Sequence, residues 1–158
     1  MRKATGLAIA LSLTSLAACT RVDTSDVTVP QAERAVIQTF DALRSGDVAK
    51  IDAVYDKGVV AIDPMRPEIV NDSAGMHKFN VDFAAMQFDR IDISDRQLQL
   101  LGSLGFVMSG VVHASSSKGP VKAAQFRLTQ VYRKQADGSF RVVTEHASMM
   151  PAPAAKTP

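Results

Sequence analysis

The spacing of apolar residues changes partway along the chain, and this change constrains the fold class. Up to about residue 86, apolar side chains recur at three- and four-residue steps, which is typical of amphipathic helices. From Ile91 onward they alternate with polar residues, as expected of strands that bury one face. Helices followed by long antiparallel strands predict an α+β domain. The helical stripes are Ala32, Val36, Phe40 and Leu43; Val48, Ile51, Val54 and Tyr55; and Met76, Phe79, Phe83 and Met86.

Turn and capping residues mark where these elements begin and end. Ser45-Gly46 is expected to end the first helix, Asp47 to cap the second, and Ser73 to cap the third. The strands are predicted over 59–62, 91–100, 104–114, 121–133 and 139–149, with a bulge near Ser94-Asp95. Asp137-Gly138 is a hairpin signal between the last two strands. We expect a curved sheet that folds around the helices and encloses a cone.

The first 19 residues have the features of a bacterial secretory signal. Arg2-Lys3 precede an apolar run from Leu7 to Leu16, which is too short for the roughly 20 residues that span a bilayer. The four residues Leu16-Ala17-Ala18-Cys19 resemble the lipobox of bacterial lipoproteins. That resemblance implies a diacylglycerol on the Cys19 sulfur and cleavage before Cys19. The alternative is an ordinary signal followed by a chance cysteine. Cys19 is the only cysteine, so it has no disulfide partner within the chain.

This signal sets the expected domain organisation and location. Residues 1–18 are the signal peptide, 19–30 a lipidated N-terminus and polar tether, 31–150 the folded domain, and 151–158 a disordered proline- and alanine-rich tail. In the lipoprotein pattern, an acid after the cysteine usually retains a protein at the inner membrane, whereas this chain has Thr20. We therefore expect a protein of the cell envelope, lipid-anchored in the outer membrane and facing the periplasm.

Charge and motif content exclude several classes of function. The precursor has 18 basic and 16 acidic residues, and removal of Arg2 and Lys3 with the signal leaves 16 of each. Such a balance argues against nucleic acid as a partner. His77 and His113 do not fall at a metal-ligand spacing with His146, and the chain has no glycine-rich phosphate loop. We expect neither a metal nor another cofactor.

The last two predicted strands carry the pattern of a known family. Residues 126–148 resemble the nuclear-transport-factor-2-like superfamily, and within it the SnoaL-like branch. The resemblance covers about 31–150 and implies a cone-shaped α+β barrel with three N-terminal helices in a curved, mixed, mostly antiparallel sheet. Phe140 stands where the family usually has Trp. This fold hosts isomerases, dehydratases, cyclases, adaptors and binding modules, so it does not fix the activity. The matching residues are Arg127, Thr129, Val131, Asp137-Gly138, Phe140, Arg141-Val142-Val143, His146 and Ser148.

His146 is the first candidate for a site residue. Strict alternation along the last strand places it on one face with Phe140, Val142, Thr144 and Ser148. At the open end of a cone, a histidine could act as a general base, a proton donor or a ligand contact. The alternative is a partly buried histidine that bonds a neighbouring strand or meets a partner subunit.

Four further residues are candidates for the pocket wall. Arg127 and Thr129 share a face of the preceding strand, and an arginine inside the cone would bind a carboxylate. On the outer face the same arginine would be solvated or form an interface. Tyr55 and Asp63 flank the first strand, and ketosteroid-isomerase-like members use a tyrosine and buried carboxylates. Alternatively, Tyr55 completes a core stripe and Asp63 begins a turn.

Three functions remain open from the sequence. The first is a binding module whose pocket holds a small apolar or weakly anionic molecule, or which docks an envelope partner. The second is an isomerase, dehydratase or cyclase with His146 as general base. The third is a structural homodimer that associates through the sheet. In each case the membrane is the expected partner through Cys19.

Overall fold

A curved sheet packed against helices forms the part of the chain that the computed structural model describes, residues 23–150. Within that range the sheet has five strands in the order β1-β5-β4-β3-β2, with β1 parallel to β5 and the other pairs antiparallel. The predicted cone-shaped α+β fold is confirmed. The elements are α1 (Val29–Ser45), α2 (Val48–Val54), β1 (Tyr55–Ile62), α3 (Ser73–Ala85), β2 (Arg90–Leu100), β3 (Gly105–Ser115), β4 (Ala123–Lys134) and β5 (Phe140–Met149).

Local capping fixes the helix ends. Gly46 has φ +63° and donates its N–H to the carbonyl of Leu43, which ends α1 in the left-handed conformation that glycine favours. The Asp47 carboxylate accepts hydrogen bonds from the first turn of α2, as expected. The cap of α3 is Asp72 and not Ser73, because the Asp72 Oδ1 accepts the Gly75 N–H at 2.7 Å.

The helices fill the concave side of the sheet. Val36 and Phe40 of α1, Ile51 of α2 and Met76 of α3 are all buried there. Near the end of the sheet that holds the β2–β3 turn, the Phe106 ring stacks on the Tyr132 ring with 4.4 Å between centroids. Burial of these apolar faces is the main favourable term in folding. The buried strand residues that they meet include Ile91, Met108, Val112, Leu128 and Val142.

Two bulges interrupt the regular alternation of side chains in the antiparallel strand pairs. The bulge of β2 lies between Ser94 and Gln97, where Asp95 has φ +53°, and it confirms the sequence expectation. The bulge of β5 was not expected. Tyr132 pairs with Val142 whereas Val131 pairs with Thr144, so Val143 is an extra residue in β5.

The β5 bulge corrects the predicted faces of that strand. Before the bulge, Val142 lies on the buried face; after it, Glu145 and Ala147 are buried whereas Thr144 and His146 are exposed. A single extra residue exchanges the two faces of a strand because side chains alternate with period two. The prediction of a single common face is therefore wrong for the residues that it grouped, which are Phe140, Val142, Thr144, His146 and Ser148.

The folded part begins before Gln31, where the expected tether was to end. Val27 is buried and donates its N–H to the carbonyl of Gly102 at 2.9 Å. Asp23 forms an ion pair with Lys134 at 2.7 Å. The expected signal peptide, Cys19 and residues 151–158 lie outside the described residues. No helix within residues 23–150 is long and apolar enough to cross a membrane.

Candidate functional site

A cavity of about 370 Å³ lies between the concave face of the sheet and helices α1 and α3. Its wall is mostly apolar, because the inward positions of β2, β3 and β4 and the facing sides of both helices carry apolar side chains. Aromatic rings supply much of this surface. Among the lining residues are Phe40, Phe83, Phe88, Val112, Phe126 and Leu128.

Glu145 supplies a carboxyl group to this apolar wall. The residue is only 7% exposed, and its Oε2 atom accepts two hydrogen bonds. One comes from the Tyr55 hydroxyl at 2.9 Å and the other from the Gln130 Nε2 at 2.6 Å. The Gln130 Oε1 in turn accepts the Tyr132 hydroxyl at 2.6 Å. This network fixes the Glu145 side chain and satisfies one of its two oxygens.

The second carboxyl oxygen of Glu145 remains open to the cavity. Within residues 23–150, Oε1 receives no hydrogen bond, and it is not among the buried polar atoms closed off from solvent. Glu145 is a lining residue of the cavity. A molecule in the cavity therefore has a free oxygen of Glu145 to bind.

Burial raises the pKa of the Glu145 carboxyl above its ordinary value. The hydrogen bonds from Gln130 and Tyr55 act in the opposite direction, and the nearby charge of Asp63 adds to the increase. Burial and the charge of Glu145 also raise the pKa of Tyr55, so its hydroxyl stays protonated and donates. The site can thus hold a proton on Glu145 or accept one there.

One side of the cavity mouth is formed by the segment after β1 and by α3. Asp63 begins this segment, and its Oδ1 accepts the Met65 N–H at 2.8 Å. The Arg66 guanidinium lies 5.3 Å from the centre of the Phe79 ring and pairs with the Asp82 carboxylate. The positive charge at the mouth is therefore neutralised by an acid of the helix beside it.

The residues singled out from the sequence fall on two different faces. Tyr55 and Asp63 line the cavity. Arg127, Thr129 and His146 are exposed on the outer face, where Thr129 and His146 lie opposite each other on adjacent strands. The structure therefore brings Tyr55 and Asp63 to Glu145 but leaves the other three on the opposite side of the sheet.

Sequence reasoning missed the two central polar residues, Glu145 and Gln130. Gln130 interrupts the inward side of β4 between Leu128 and Tyr132, which are both buried. A buried polar residue in such a stripe normally has a polar partner on the next strand. That signal was present, but the partner depends on the register across the β5 bulge.

The described residues contain no group of three or more His, Cys, Asp or Glu side chains arranged to hold a metal ion. The polar groups of the Glu145 network that line the cavity are a carboxyl, a phenol and an amide. These groups suit hydrogen bonding and proton transfer to a small organic molecule.

Comparisons with known proteins agree with this architecture. The family model described as the SnoaL-like domain matches residues 33–153. No curated protein matches the chain.

Solved structures share the fold at low sequence identity. A ketosteroid isomerase-like protein from Erwinia carotovora is 19% identical with a TM-score of 0.65, over 78% of this chain and 96% of that one. A provisionally assigned dehydratase of the NTF2-like family from Streptomyces avermitilis is 20% identical with a TM-score of 0.66, over 78% and 96%. An NTF2-like protein of unknown function from Pseudomonas putida is 17% identical with a TM-score of 0.66, over 82% and 92%. At such identities these likenesses show the fold alone.

Proposed function

Since the chain belongs to the SnoaL-like domain family, we propose that it binds one small, mostly apolar molecule in its cavity and holds a polar group of that molecule at Glu145. The observation that carries this proposal is the free Oε1 of Glu145 in an apolar wall. NTF2-like domains commonly bind ligands or act as isomerases and dehydratases.

The size and chemistry of the cavity support a single small ligand. A volume of about 370 Å³ lies within the usual range for small-molecule sites. Apolar walls give affinity by removing ligand surface from water, whereas a few polar atoms determine orientation. Here the Glu145 network provides that orientation at one place in the wall.

The acids in the wall favour a neutral ligand over an anionic one. Glu145 and Asp63 both line the cavity, and the Arg66 guanidinium is already paired with Asp82. When Glu145 is protonated, its proton resides on Oε1, because Oε2 already accepts two hydrogen bonds. It then donates to a ligand carbonyl. When ionised, it accepts from a ligand hydroxyl.

A second candidate function is proton transfer on a ligand held in this way. The raised pKa of Glu145 and its free Oε1 support a general acid or base at this position, in place of His146. The Tyr55 hydroxyl donates its hydrogen bond to Glu145. The role of Tyr55 would therefore be to hold the carboxyl group and not to stabilise an oxyanion. The ketosteroid isomerase-like relative suggests a β,γ-unsaturated ketone as the test substrate.

Adjacent residues on opposite faces of β5 allow a matched test of the site. Binding of the neutral fluorophore phenylnaphthylamine, and its displacement by a ketosteroid and the corresponding hydrocarbon, would be measured for wild type, Glu145→Leu and His146→Leu. We expect Glu145→Leu to weaken the ketosteroid roughly tenfold or more and to spare the hydrocarbon, because one buried hydrogen bond is lost. His146→Leu should bind both as the wild type does.

A cavity-filling variant and a turnover assay complete the experiment. Ala147→Phe should abolish binding of every probe, since Ala147 lines the cavity two residues after Glu145. If His146→Leu weakens binding as much as Glu145→Leu, the site lies on the outer face and the proposal is wrong. Conversion of the β,γ-unsaturated ketone to its conjugated isomer, slowed by a factor of about 10² to 10⁴ in Glu145→Gln, would establish the enzymatic alternative.

We also propose that the protein is exported and anchored by lipid at Cys19, in the outer membrane and facing the periplasm. The support is the sequence Leu16-Ala17-Ala18-Cys19 and the Thr20 that follows. Ligand binding would then take place in the cell envelope.

A further inference from the structure

The turn between β2 and β3 exposes three leucines, Leu100, Leu101 and Leu104, which together are called the leucine turn below. They are 37%, 38% and 74% exposed, respectively. The turn itself is well formed: Leu104 donates its N–H to the Leu101 carbonyl at 3.2 Å, and Gly102 has φ +61°. These leucines therefore belong to an ordered hairpin.

The neighbouring turn at the same end of the sheet has the polar composition that is usual for a solvent-exposed turn. The turn between β4 and β5, residues 135–139, reads Gln-Ala-Asp-Gly-Ser and is polar. It lies beside the leucine turn, because Lys134 donates its N–H to the Leu104 carbonyl at 2.9 Å. Solvated turns are normally built from Gly, Asn, Asp, Ser and Pro, and a cluster of exposed apolar side chains indicates a contact surface.

The N-terminal end of the described chain is fixed next to the leucine turn. Val27 donates its N–H to the Gly102 carbonyl inside the turn at 2.9 Å. The Lys134 ammonium pairs with Asp23 at 2.7 Å and donates to the Ser25 carbonyl at 2.9 Å. The Lys134 side chain is only 2% exposed, so this attachment is partly shielded from water.

Cys19 therefore cannot lie far from the leucine turn. Four Cα–Cα steps separate Cys19 from Asp23, and four fully extended residues span at most about 14 Å. If Cys19 carries lipid at the membrane surface, the end of the sheet that holds Asp23 lies within about that distance of the lipid headgroups.

We propose that the leucine turn contacts the bilayer surface and is a second point of membrane attachment beside the lipid on Cys19. This inference rests on the proposed lipid anchor. The occupant of the leucine surface is a phospholipid membrane, because the short reach from Cys19 brings that surface to it and the exposed side chains are apolar.

Membrane contact at this turn determines which way the cavity faces. Strand β3 runs from Gly105 beside the leucine turn to Ser115, and its later residues Val112 and Ala114 line the cavity. At about 3.3 Å per residue, an 11-residue strand separates the two ends by roughly 30 Å. The cavity mouth then faces away from the bilayer, and a ligand reaches it from the aqueous side.

The absence of tryptophan from the chain allows a clean optical test. Leu104→Trp would be introduced into the full-length, lipidated protein and reconstituted in phosphatidylethanolamine and phosphatidylglycerol vesicles, with and without brominated lipid. We expect blue-shifted emission that brominated lipid quenches. The control is Val81→Trp, which replaces a 44%-exposed apolar residue of α3 beside the mouth. Its emission should be insensitive to brominated lipid and quenched by aqueous iodide.

Mass spectrometry of the Cys19 peptide separates failure of the anchor from failure of the membrane contact. If Cys19 is acylated and brominated lipid leaves Leu104→Trp unquenched, the contact is disproved while the anchor stands. A blue shift without quenching by brominated lipid means that another protein molecule covers the turn, which also overturns the proposal. If Cys19 carries no lipid, both proposals fail.

Discussion

Glu145 concentrates the chemistry of the cavity in one side chain. Its Oε2 is held by Tyr55 and Gln130, and its Oε1 is open to a ligand. A buried carboxyl group costs less when neutral, and this is why burial raises its pKa. The raised pKa of Glu145 also makes the stability of the domain depend on pH.

The predicted effect is a loss of stability as pH rises. Above about pH 4.5 the unfolded chain releases the Glu145 proton while the folded domain keeps it, so the free energy of unfolding decreases with pH until the folded-state pKa is passed. The contribution of this group is at most about 1.4 kcal/mol per pH unit. Glu145→Gln stays neutral and can still accept from Tyr55 and Gln130. Its free energy of unfolding should therefore increase relative to that of the wild type between pH 4.5 and neutrality.

Urea denaturation across this pH range measures the difference directly. Glu68→Gln removes a charge from an exposed loop residue and serves as the control, for which the difference from wild type should be small. A constant difference between Glu145→Gln and wild type at every pH would contradict a raised pKa at Glu145.

Strand β5 determines which side chains reach the cavity. Val142 and Glu145 are three positions apart and would lie on opposite faces of a regular strand. Because Val143 is an extra residue between them, both lie on the buried face. If Val143 were instead paired regularly with Val131, Gln130 would face Thr144, and the cavity would lose its carboxyl group. The bulge is thus the structural feature that creates the candidate site.

Deleting one residue from β5 is predicted to have an effect that depends on whether the residue is paired. Deletion of Val143 removes the extra residue and leaves Val142 and Glu145 two positions apart, so both can still face inward in a regular strand. Deletion of His146 makes Glu145 and Ala147 adjacent and forces one of them to the outer face, at a cost of about 1 to 3 kcal/mol. Chemical denaturation distinguishes the two variants, and a loss of stability as large for the Val143 deletion as for the His146 deletion would contradict this pairing.

In the whole molecule, the two ends of the sheet have separate roles. The end near Ser115 and Ala123 carries the cavity, and the end near Leu104 and Lys134 receives the chain from the N-terminus. Residues 23–27 pack on the domain, so only the segment between Cys19 and Asp23 lies between the proposed lipid and the folded part. A short connection restricts how the domain is oriented at a membrane.

Lipid attachment is predicted to depend on the Cys19 sulfur. Cys19→Ser should remove the acyl group and leave the precursor uncleaved, or release it as soluble protein after cleavage by another peptidase. Metabolic labelling with palmitate measures this, with Thr20→Ser as a control that should keep the label. Label that persists on the serine variant would exclude the lipobox interpretation.

The sequence determined those features that depend on neighbouring residues. Gly46 and Asp47 define a helix end and a helix start because a left-handed backbone and a capping carboxylate act within one turn. The change of apolar period predicted the α+β domain for the same reason, and the resemblance of residues 126–148 to a known family implied the cone-shaped barrel. The bulge near Asp95 was also predicted from the residues around it.

Only the tertiary structure decided which side chains form the site. Tyr55 and Asp63 were correctly predicted to line the cavity. His146 was predicted to be the acid or base of the site, but it lies on the outer face, and Glu145 lies on the inner face instead. The inward side of β5 depends on how it pairs with β4, and a bulge is stabilised by that pairing and not by its own residues. One unpaired residue exchanges the faces of every residue after it, because strand side chains alternate with period two.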